Sequence, residues 1–394
     1  MFSIYFIHLQ STSNQRIAKE SLHHYMKKQR IVLAVTNDLS YDQRMQRICS
    51  SLSDAGYDIL LVGRKRKDSI QLHNYSFQQK RLYCIADKGF AFYVLYNIRL
   101  FFFLLFCKAD ALCAIDLDTI LPVYLASVIR NKKHVYDAHE LFTEQKEIVT
   151  RKFVYHFWLI LEKILVPKFK YGYTVNLFIA EELERRYGVK YEIVRNLPVY
   201  HPSLDEPVSL PATQKFILYQ GAVNEGRGFE TLIPAMKEIN APLVVCGKGN
   251  FYQQLEKLIA EYHVEDKVIL KGLVLPHDLK KITPAAYFGL TLFEATGLNQ
   301  YYSLSNRFFD YIMAGIPQVC VGYPEYKAIN NEYEIALLVN DIKTETLVTS
   351  LNNLLDDDVL YNRLKKNCLT ARERLNWNNE EKKLITFWKN ICIL

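Results

Sequence analysis

Five stretches of this 394-residue chain carry residues that could do chemistry. Three share one form, an apolar run that opens into ionisable side chains. They are Thr36-Asn37-Asp38-Leu39-Ser40-Tyr41-Asp42, Ala114-Ile115-Asp116-Leu117-Asp118-Thr119 and Val135-Tyr136-Asp137-Ala138-His139-Glu140. Carboxylates and an imidazole at strand ends can order hydroxyl groups or accept developing charge. The bland reading is a helix cap by Asp116 or Asp118 and a surface His139. The fourth stretch is Gln220-Gly221-Ala222-Val223-Asn224-Glu225-Gly226-Arg227-Gly228. Its glycines let backbone amides approach an anion, the helix start behind it adds positive potential, and Arg227 is a bidentate phosphate donor. The fifth runs from Glu294 to Tyr311. There Ser305 or Asn306 can cap a helix, Arg307 adds charge, and Asp310, a turn further on, can bind the vicinal hydroxyls of a ribose. Two anion-seeking helix starts imply a ligand bearing a diphosphate, although ordinary capped helices use the same residues.

These loops need strands to position them. From Ile31 onward, short β-branched runs alternate with helical stretches. Ile31–Val35, Tyr57–Val62, Ala111–Ile115, His134–Tyr136 and Tyr191–Val194 read as strands. Gln43–Ala55, Thr119–Arg130, 151–171 and 178–187 read as helices. The strand runs lack in/out alternation, which indicates a parallel sheet covered on both faces. Pro198, Pro202, Pro207 and Pro211 crowd one segment and mark a linker. The alternation then restarts, with strands at Phe216–Gln220, Leu243–Cys246, Val268–Leu270, Tyr287–Phe293, Gln318–Val321 and Ile335–Val339, and last helices over Val359–Ile391. Two tandem doubly wound, Rossmann-like α/β domains with a cleft between them are expected, with ligands at the carboxyl ends of the strands. The parse is an extension over 1–30, a first domain over 31–198, a linker over 199–212, a second domain over 213–375, and a C-terminal helix over 376–394 that can pack back on the first domain. No Gly-x-Gly-x-x-Gly follows the first strand, so a nicotinamide or flavin dinucleotide fingerprint is absent. No Asp or His cluster has metal-ligand spacing, and no cofactor is expected.

Charge separates the halves. Residues 1–200 hold 29 Lys and Arg against 19 Asp and Glu, a net +10, whereas 201–394 hold 20 against 23, a net −3. The first half thus favours anionic partners. Its basic residues are not interleaved with a recognition motif, which argues against nucleic acid. Gly89–Cys107 is almost wholly apolar but carries Asn97 and Arg99 at its centre. It reads as a helix of a soluble domain able to touch a membrane surface rather than as a span. Eight scattered cysteines fit buried thiols in a reducing cytosol.

Taken in order, these motifs resemble family 4 glycosyltransferases of the GT-B fold over roughly residues 31–375. Gly221 to Gly228 is similar to that family's phosphate loop, with Arg227 on its lysine and Ala222 on its arginine. Cys246-Gly247-Lys248-Gly249 resembles the Gly-x-Gly near the nucleotide. Ser305 to Tyr311 and Ala314-Gly315-Ile316-Pro317 resemble the signature helix, with Asp310 in place of the ribose-binding glutamate. Tyr302, eight residues earlier, stands where a second glutamate is usual, so Glu294 is the candidate for that role. Asp137-Ala138-His139-Glu140 resembles the loop beside the donor sugar.

The resemblance implies a retaining, metal-independent transferase that moves a sugar from a nucleotide diphosphate to an acceptor hydroxyl. In it, His139, Asp137 and Glu294 would serve the reacting sugar. Gly221, Arg227 and the segment Ser303, Leu304, Ser305, Asn306 and Arg307 would hold the diphosphate. Gly247 and Asp310 would hold the nucleoside, while Asn37, Asp38, Asp116 and Asp118 would face the acceptor. A glycan or lipid-linked acceptor of cell-envelope polysaccharide or glycolipid synthesis is expected. So is a cytoplasmic location with peripheral contact on the anionic inner face of the plasma membrane. The alternatives are a nucleotide-sugar 2-epimerase of the same fold and a degenerate GT-B binding module.

Overall fold

The computed structural model describes residues 28–40, 42–202 and 215–392. Most of the expected extension over 1–30 and of the linker over 199–212 therefore lies outside the described residues. The strands fall into two parallel sheets, β1–β7 and β8–β13. Contacts divide the chain into two compact units. One holds the described residues to Ala114, with Pro122–His134 and the chain end from Trp388. The other holds Ile115–Leu121 and Val135–Phe387.

In the first unit, β1 (Arg30–Ala34), α1 (Gln43–Asp54), β2 (Asp58–Lys65), β3 (Gln78–Tyr83), α2 (Gly89–Phe106) and β4 (Ala111–Ile115) precede α3 (Ile120–Ile129). The strand order is β3-β2-β1-β4, all parallel. Ile31, Val32, Leu33 and Ala34 are wholly buried, as a central strand covered on both faces requires. Asp42 caps α1 by accepting from the Met45 amide at 3.0 Å. Strand β3 was not anticipated. Gln-Gln-Lys-Arg-Leu-Tyr is polar because it forms the outer end of the strand order, where only partial burial is needed.

The second unit begins its regular elements with β5 (Lys133–Ala138), α4 (Lys152–Leu165), β6 (Tyr171–Thr174), α5 (Leu177–Tyr187) and β7 (Glu192–Ile193). The helix expected over 151–171 stops early. Pro167 lies in a tight turn over Val166–Lys168, and Tyr-Gly-Tyr-Thr then runs as β6. Next come β8 (Ile217–Gln220), α6 (Phe229–Ala235), β9 (Leu243–Cys246), α7 (Tyr252–Tyr262), β10 (Val268–Gly272), α8 (Pro276–Ile282), β11 (Phe288–Thr291) and α9 (Asn306–Ala314). These are followed by β12 (Gln318–Val321), α10 (Pro324–Tyr333), β13 (Ala336–Val339), α11 (Thr344–Asp356), α12 (Asp358–Ala371) and α13 (Trp377–Ile391). The order β10-β9-β8-β11-β12-β13 reverses its direction of growth beside β8, which opens a crevice at the strand ends there.

The second unit includes β6 and β7, so the units do not coincide with 31–198 and 213–375. Polar ties explain this grouping. The Leu141 amide donates to Asn299 Oδ1 at 3.1 Å, and Glu325 Oε1 accepts from the Leu177 and Phe178 amides at 2.7 and 3.1 Å. Helix α13 joins the same unit along most of its length. The Trp377 amide donates to Pro198 O, the Arg195 amide donates to Glu380 Oε1, and the Phe387 ring meets Tyr173 edge-on at 5.1 Å. All eight cysteines are free, and seven are buried.

Candidate functional site

The site grows from the carboxyl ends of β8 and β9. The Gly221 amide donates to Cys246 O, and the Gly247 amide donates to Gly272 O at 2.7 Å, so the two loops lie against each other. A Cβ on Gly247, whose φ is +154°, would fall 1.8 Å from Gly221 O. Only glycine fits there. Gly221 is open for another reason: at φ +119° its bare face lies against the Arg307 guanidinium.

Helix α9 delivers that guanidinium. Its Tyr311 Oη donates to Leu218 O at 3.1 Å and receives the Gln220 amide at 3.3 Å, which pins the helix to β8. Arg307, on the first turn, is only 7% exposed and stacks on the Tyr219 ring at 4.3 Å. Its Nη1 has no hydrogen-bond partner among the described residues. Burial opposes its charge, but the phenols of Tyr219 and Tyr311 more than offset this, and its pKa is raised. Arg227 Nε also lacks a partner, and its guanidinium lies 5.8 Å from the Phe293 ring. Burial, and then the charge of Arg307, lowers the Arg227 pKa. Two inward cations thus repel each other, and neither has a carboxylate within ion-pair distance among the described residues. Buried charges are ordinarily paired, so this arrangement suits a doubly charged anion.

The helix start is less open than its sequence suggested. Ser305 is the N-cap, but its side chain makes no cap bond, and its amide donates to Tyr326 Oη at 2.8 Å. The Ser303 amide and hydroxyl both donate to Gln300 O. Among the described residues, no hydrogen bond from the Leu304, Asn306 or Arg307 amide is seen. Asp310 faces β8, where its Oδ2 accepts from Gln220 Nε2 at 3.0 Å. Gln220 Oε1 in turn accepts from the Thr283 hydroxyl at 2.8 Å.

Arg227 and Glu294 line one cavity of about 350 Å³ together with Lys146, Arg151 and Gln300. Glu294 is exposed, and its amide donates to Gly226 O at 2.9 Å. Lys146 Nζ reaches Glu225 at 2.8 Å. Tyr302 does not take a glutamate's part. It stacks on Phe178 at 5.7 Å, and its carbonyl accepts from Asn176 Nδ2.

His139 leaves β5 between two carboxylates. Its Nε2 lies 3.1 Å from Asp137 Oδ2 and its Nδ1 3.5 Å from Asp116 Oδ2, while its amide donates to Asp116 Oδ1 at 2.8 Å. Asp137 is wholly buried. Asp116 keeps a fifth of its side chain exposed, yet the surrounding protein raises its pKa to about 8 against the opposing pull of His139. Asp118 is buried on the turn Leu117–Thr119.

The remaining expected residues, Asn37 and Asp38, serve their own loop in the first unit. Asn37 Oδ1 accepts from the Leu39 amide. Asp38 accepts from Arg81 Nη2 at 3.0 Å and from the Ser40 and Ser69 hydroxyls. Burial opposes its ionisation, but these donors together hold its pKa below the usual value. The sequence reading missed Arg81 because it missed β3. It also missed Lys146, Arg151 and Asn299, which stand in stretches with no glycine or cap signal.

Comparisons with known proteins bear on the fold and on the second half of the chain. Residues 202–370 match the family model described as glycosyl transferases group 1. An uncharacterized glycosyltransferase of Methanocaldococcus jannaschii is 26% identical over 194 residues, and the match spans 45% of each chain. Sucrose-phosphate synthase from Thermosynechococcus elongatus superposes with a TM-score of 0.76 at 18% identity, over 92% of this chain and 99% of that one. Anabaena HepE in complex with UDP-glucose superposes with a TM-score of 0.71 at 10% identity, over 92% and 99%. The chain thus has the GT-B fold of these structures, and its residues 202–370 match the glycosyl transferases group 1 model.

Proposed function

We propose that the chain transfers a sugar from a nucleoside-diphosphate donor to an acceptor hydroxyl, with retention of configuration and without a metal. The observation that carries this reading is the pair of guanidinium groups, buried Arg307 and half-buried Arg227, with no acidic partner among the described residues. In that place a diphosphate removes their mutual repulsion. As the glycosidic bond to the leaving phosphate breaks, charge builds on the phosphate oxygens. Fixed cations then stabilise the transition state more than the ground state. The free amides of Leu304 and Asn306 add to this field. Asp310, braced by Gln220, suits the ribose hydroxyls. Glu294 in the cavity suits the hydroxyls of the donor sugar. His139, fixed by Asp116 and Asp137, stands ready to hydrogen-bond that sugar or meet its developing positive charge. UDP is the first nucleotide to test, because the similar HepE is seen with UDP-glucose.

The acceptor in this reading is a glycan or a lipid-linked sugar of cell-envelope polysaccharide or glycolipid synthesis. The protein works in the cytoplasm on the inner face of the plasma membrane. The experiment is calorimetric titration with UDP, GDP and UMP, followed by a transfer and hydrolysis assay with a nucleotide-sugar panel. Proton NMR of the anomeric carbon's hydrogen reads the stereochemistry. Diphosphates should bind far more tightly than UMP. Equal affinity for UDP and UMP would remove the diphosphate assignment, and an inverted product would remove retention.

A further inference from the structure

The helix α2, Gly89–Phe106, has the sequence GFAFYVLYNIRLFFFLLF and, apart from Asn97 and Arg99, is apolar on every side. Such a helix is normally enclosed by protein or lipid. Here only Phe92, Tyr96, Leu100 and Leu104 are buried, a single stripe at four-residue spacing. The Tyr96 hydroxyl donates to Val35 O at the end of β1, so this stripe is part of the cover over the sheet. The opposite face presents Phe90, Val94, Leu95, Ile98, Phe102 and Phe106, each between 39% and 80% exposed. By length and composition α2 could cross a membrane. Crossing would tear the buried stripe from the sheet, so the exposed half is what needs an occupant.

Two further features adjoin that face. Arg130, just past α3, donates to Leu104 O near the end of α2. Helix α3 thereby brings Leu125, Val128 and Ile129, exposed by 40% to 63%, to the same region. The Arg64 guanidinium sits 4.2 Å from the Phe92 ring, so the exposed run Lys65-Arg66-Lys67 leaves β2 at the beginning of α2. Exposed Lys88 and Lys108 bracket the helix, and Arg99 stands at its edge. An apolar strip bounded by cations matches an acyl layer beneath anionic headgroups.

We propose that α2, with the adjoining end of α3, is a monotopic docking surface for an anionic lipid bilayer, the helix lying in the interface plane with its exposed face among the acyl chains. This deepens the reading above by naming the surface through which a lipid-linked acceptor is reached. It rests on that reading only for its purpose.

The test uses the full chain and vesicles of phosphatidylcholine with or without phosphatidylglycerol, separated by flotation. The chain should float with the anionic vesicles. The double variant Ile98→Glu, Phe102→Glu should lower that partitioning by about tenfold or more, as expected when large apolar side chains lose their burial. A Phe102→Trp variant should shift its emission to shorter wavelength on binding and be quenched by acyl-brominated lipid. Calorimetry with UDP on the same variants shows that they are folded. It also separates failure of this proposal from failure of the transferase reading. Three results would overturn it: a chain that stays in the aqueous fraction, a Phe102→Trp signal untouched by brominated lipid, or a dimer that Ile98→Glu dissociates. The last would assign the face to a second copy of the chain.

Discussion

Replacing Arg307 by methionine separates a ligand-binding cation from a structural one. The guanidinium is 7% exposed, stacked on Tyr219, short of one hydrogen-bond partner and repelled by Arg227. Methionine keeps much of the volume and removes the charge. Loss of the stacking costs about 1–2 kcal/mol. Relief of the desolvation and of the repulsion returns more, since replacing buried charges by apolar groups is often stabilising by about 1–4 kcal/mol. A net gain of about 1 kcal/mol should raise Tm by roughly 2–4 °C, the usual scale for larger domains. Binding should move the other way. Two charge-assisted hydrogen bonds to a diphosphate, each worth about 1.5–3 kcal/mol, are lost, so UDP affinity should fall by roughly 100-fold at least. Differential scanning fluorimetry and calorimetric titration on one preparation read both effects. A lowered Tm with unchanged UDP affinity would refute the reasoning and make Arg307 a structural residue.

The other predictions address neighbouring parts of the argument. Gly247→Ala places a Cβ 1.8 Å from Gly221 O at φ +154°. It should cost about 3 kcal/mol or more of stability by chemical denaturation and abolish UDP binding. Asp116, with its pKa raised to about 8 by burial against the pull of His139, binds a proton in the folded state that the unfolded chain has released. Its contribution to stability should thus decline as pH rises from about 4 to 8, and Asp116→Asn should flatten that part of a Tm-against-pH profile. An unaltered profile would show that Asp116 does not hold the proton. Asp38→Ala leaves Arg81 without its carboxylate and should destabilise by about 1–3 kcal/mol. UDP affinity should not change, and a parallel fall would connect this loop to the donor site.

How much of this was legible beforehand depended on whether a residue's job is local. Strands with wholly buried faces, such as Ala111–Ile115, Leu243–Cys246 and Gln318–Val321, showed their ends in sequence because apolar runs stop where the sheet meets solvent. Strand β3 was hidden because its partner lies on one side only, and its polar residues resemble a loop. The loop Gly221–Gly228 was legible as a turn from strand to helix because its glycines follow an apolar run that ends at Gln220. The fate of the Ser303 and Ser305 amides was not, because their acceptors, Gln300 O and Tyr326 Oη, are set by the loop's path and by a helix many residues later. The sandwich of His139 between Asp116 and Asp137 depends on the positive φ of Asp116, 58°, a conformation that sequence does not announce in a non-glycine residue.

The same contrast bears on Ala222, where the resemblance would place an arginine. Tyr219 donates its hydroxyl to Ala222 O at 2.7 Å, which holds the phenol flat beside the loop. That ring is the surface on which Arg307 lies, and the open face of Gly221 leaves room for the guanidinium to approach. In the proposed reading, the charge absent at position 222 is therefore supplied from α9, and the loop keeps small residues there because a cation arrives from the other side. Arg227 lines the cavity, and Arg307 lies against Gly221, near enough for its charge to lower the Arg227 pKa. Binding of a diphosphate then ties Arg227 to Arg307, and with them the Gly221–Gly228 loop to the start of α9. A monophosphate is too short in charge to relieve both cations, which is why the diphosphate preference is the physical consequence on which the proposed chemistry stands.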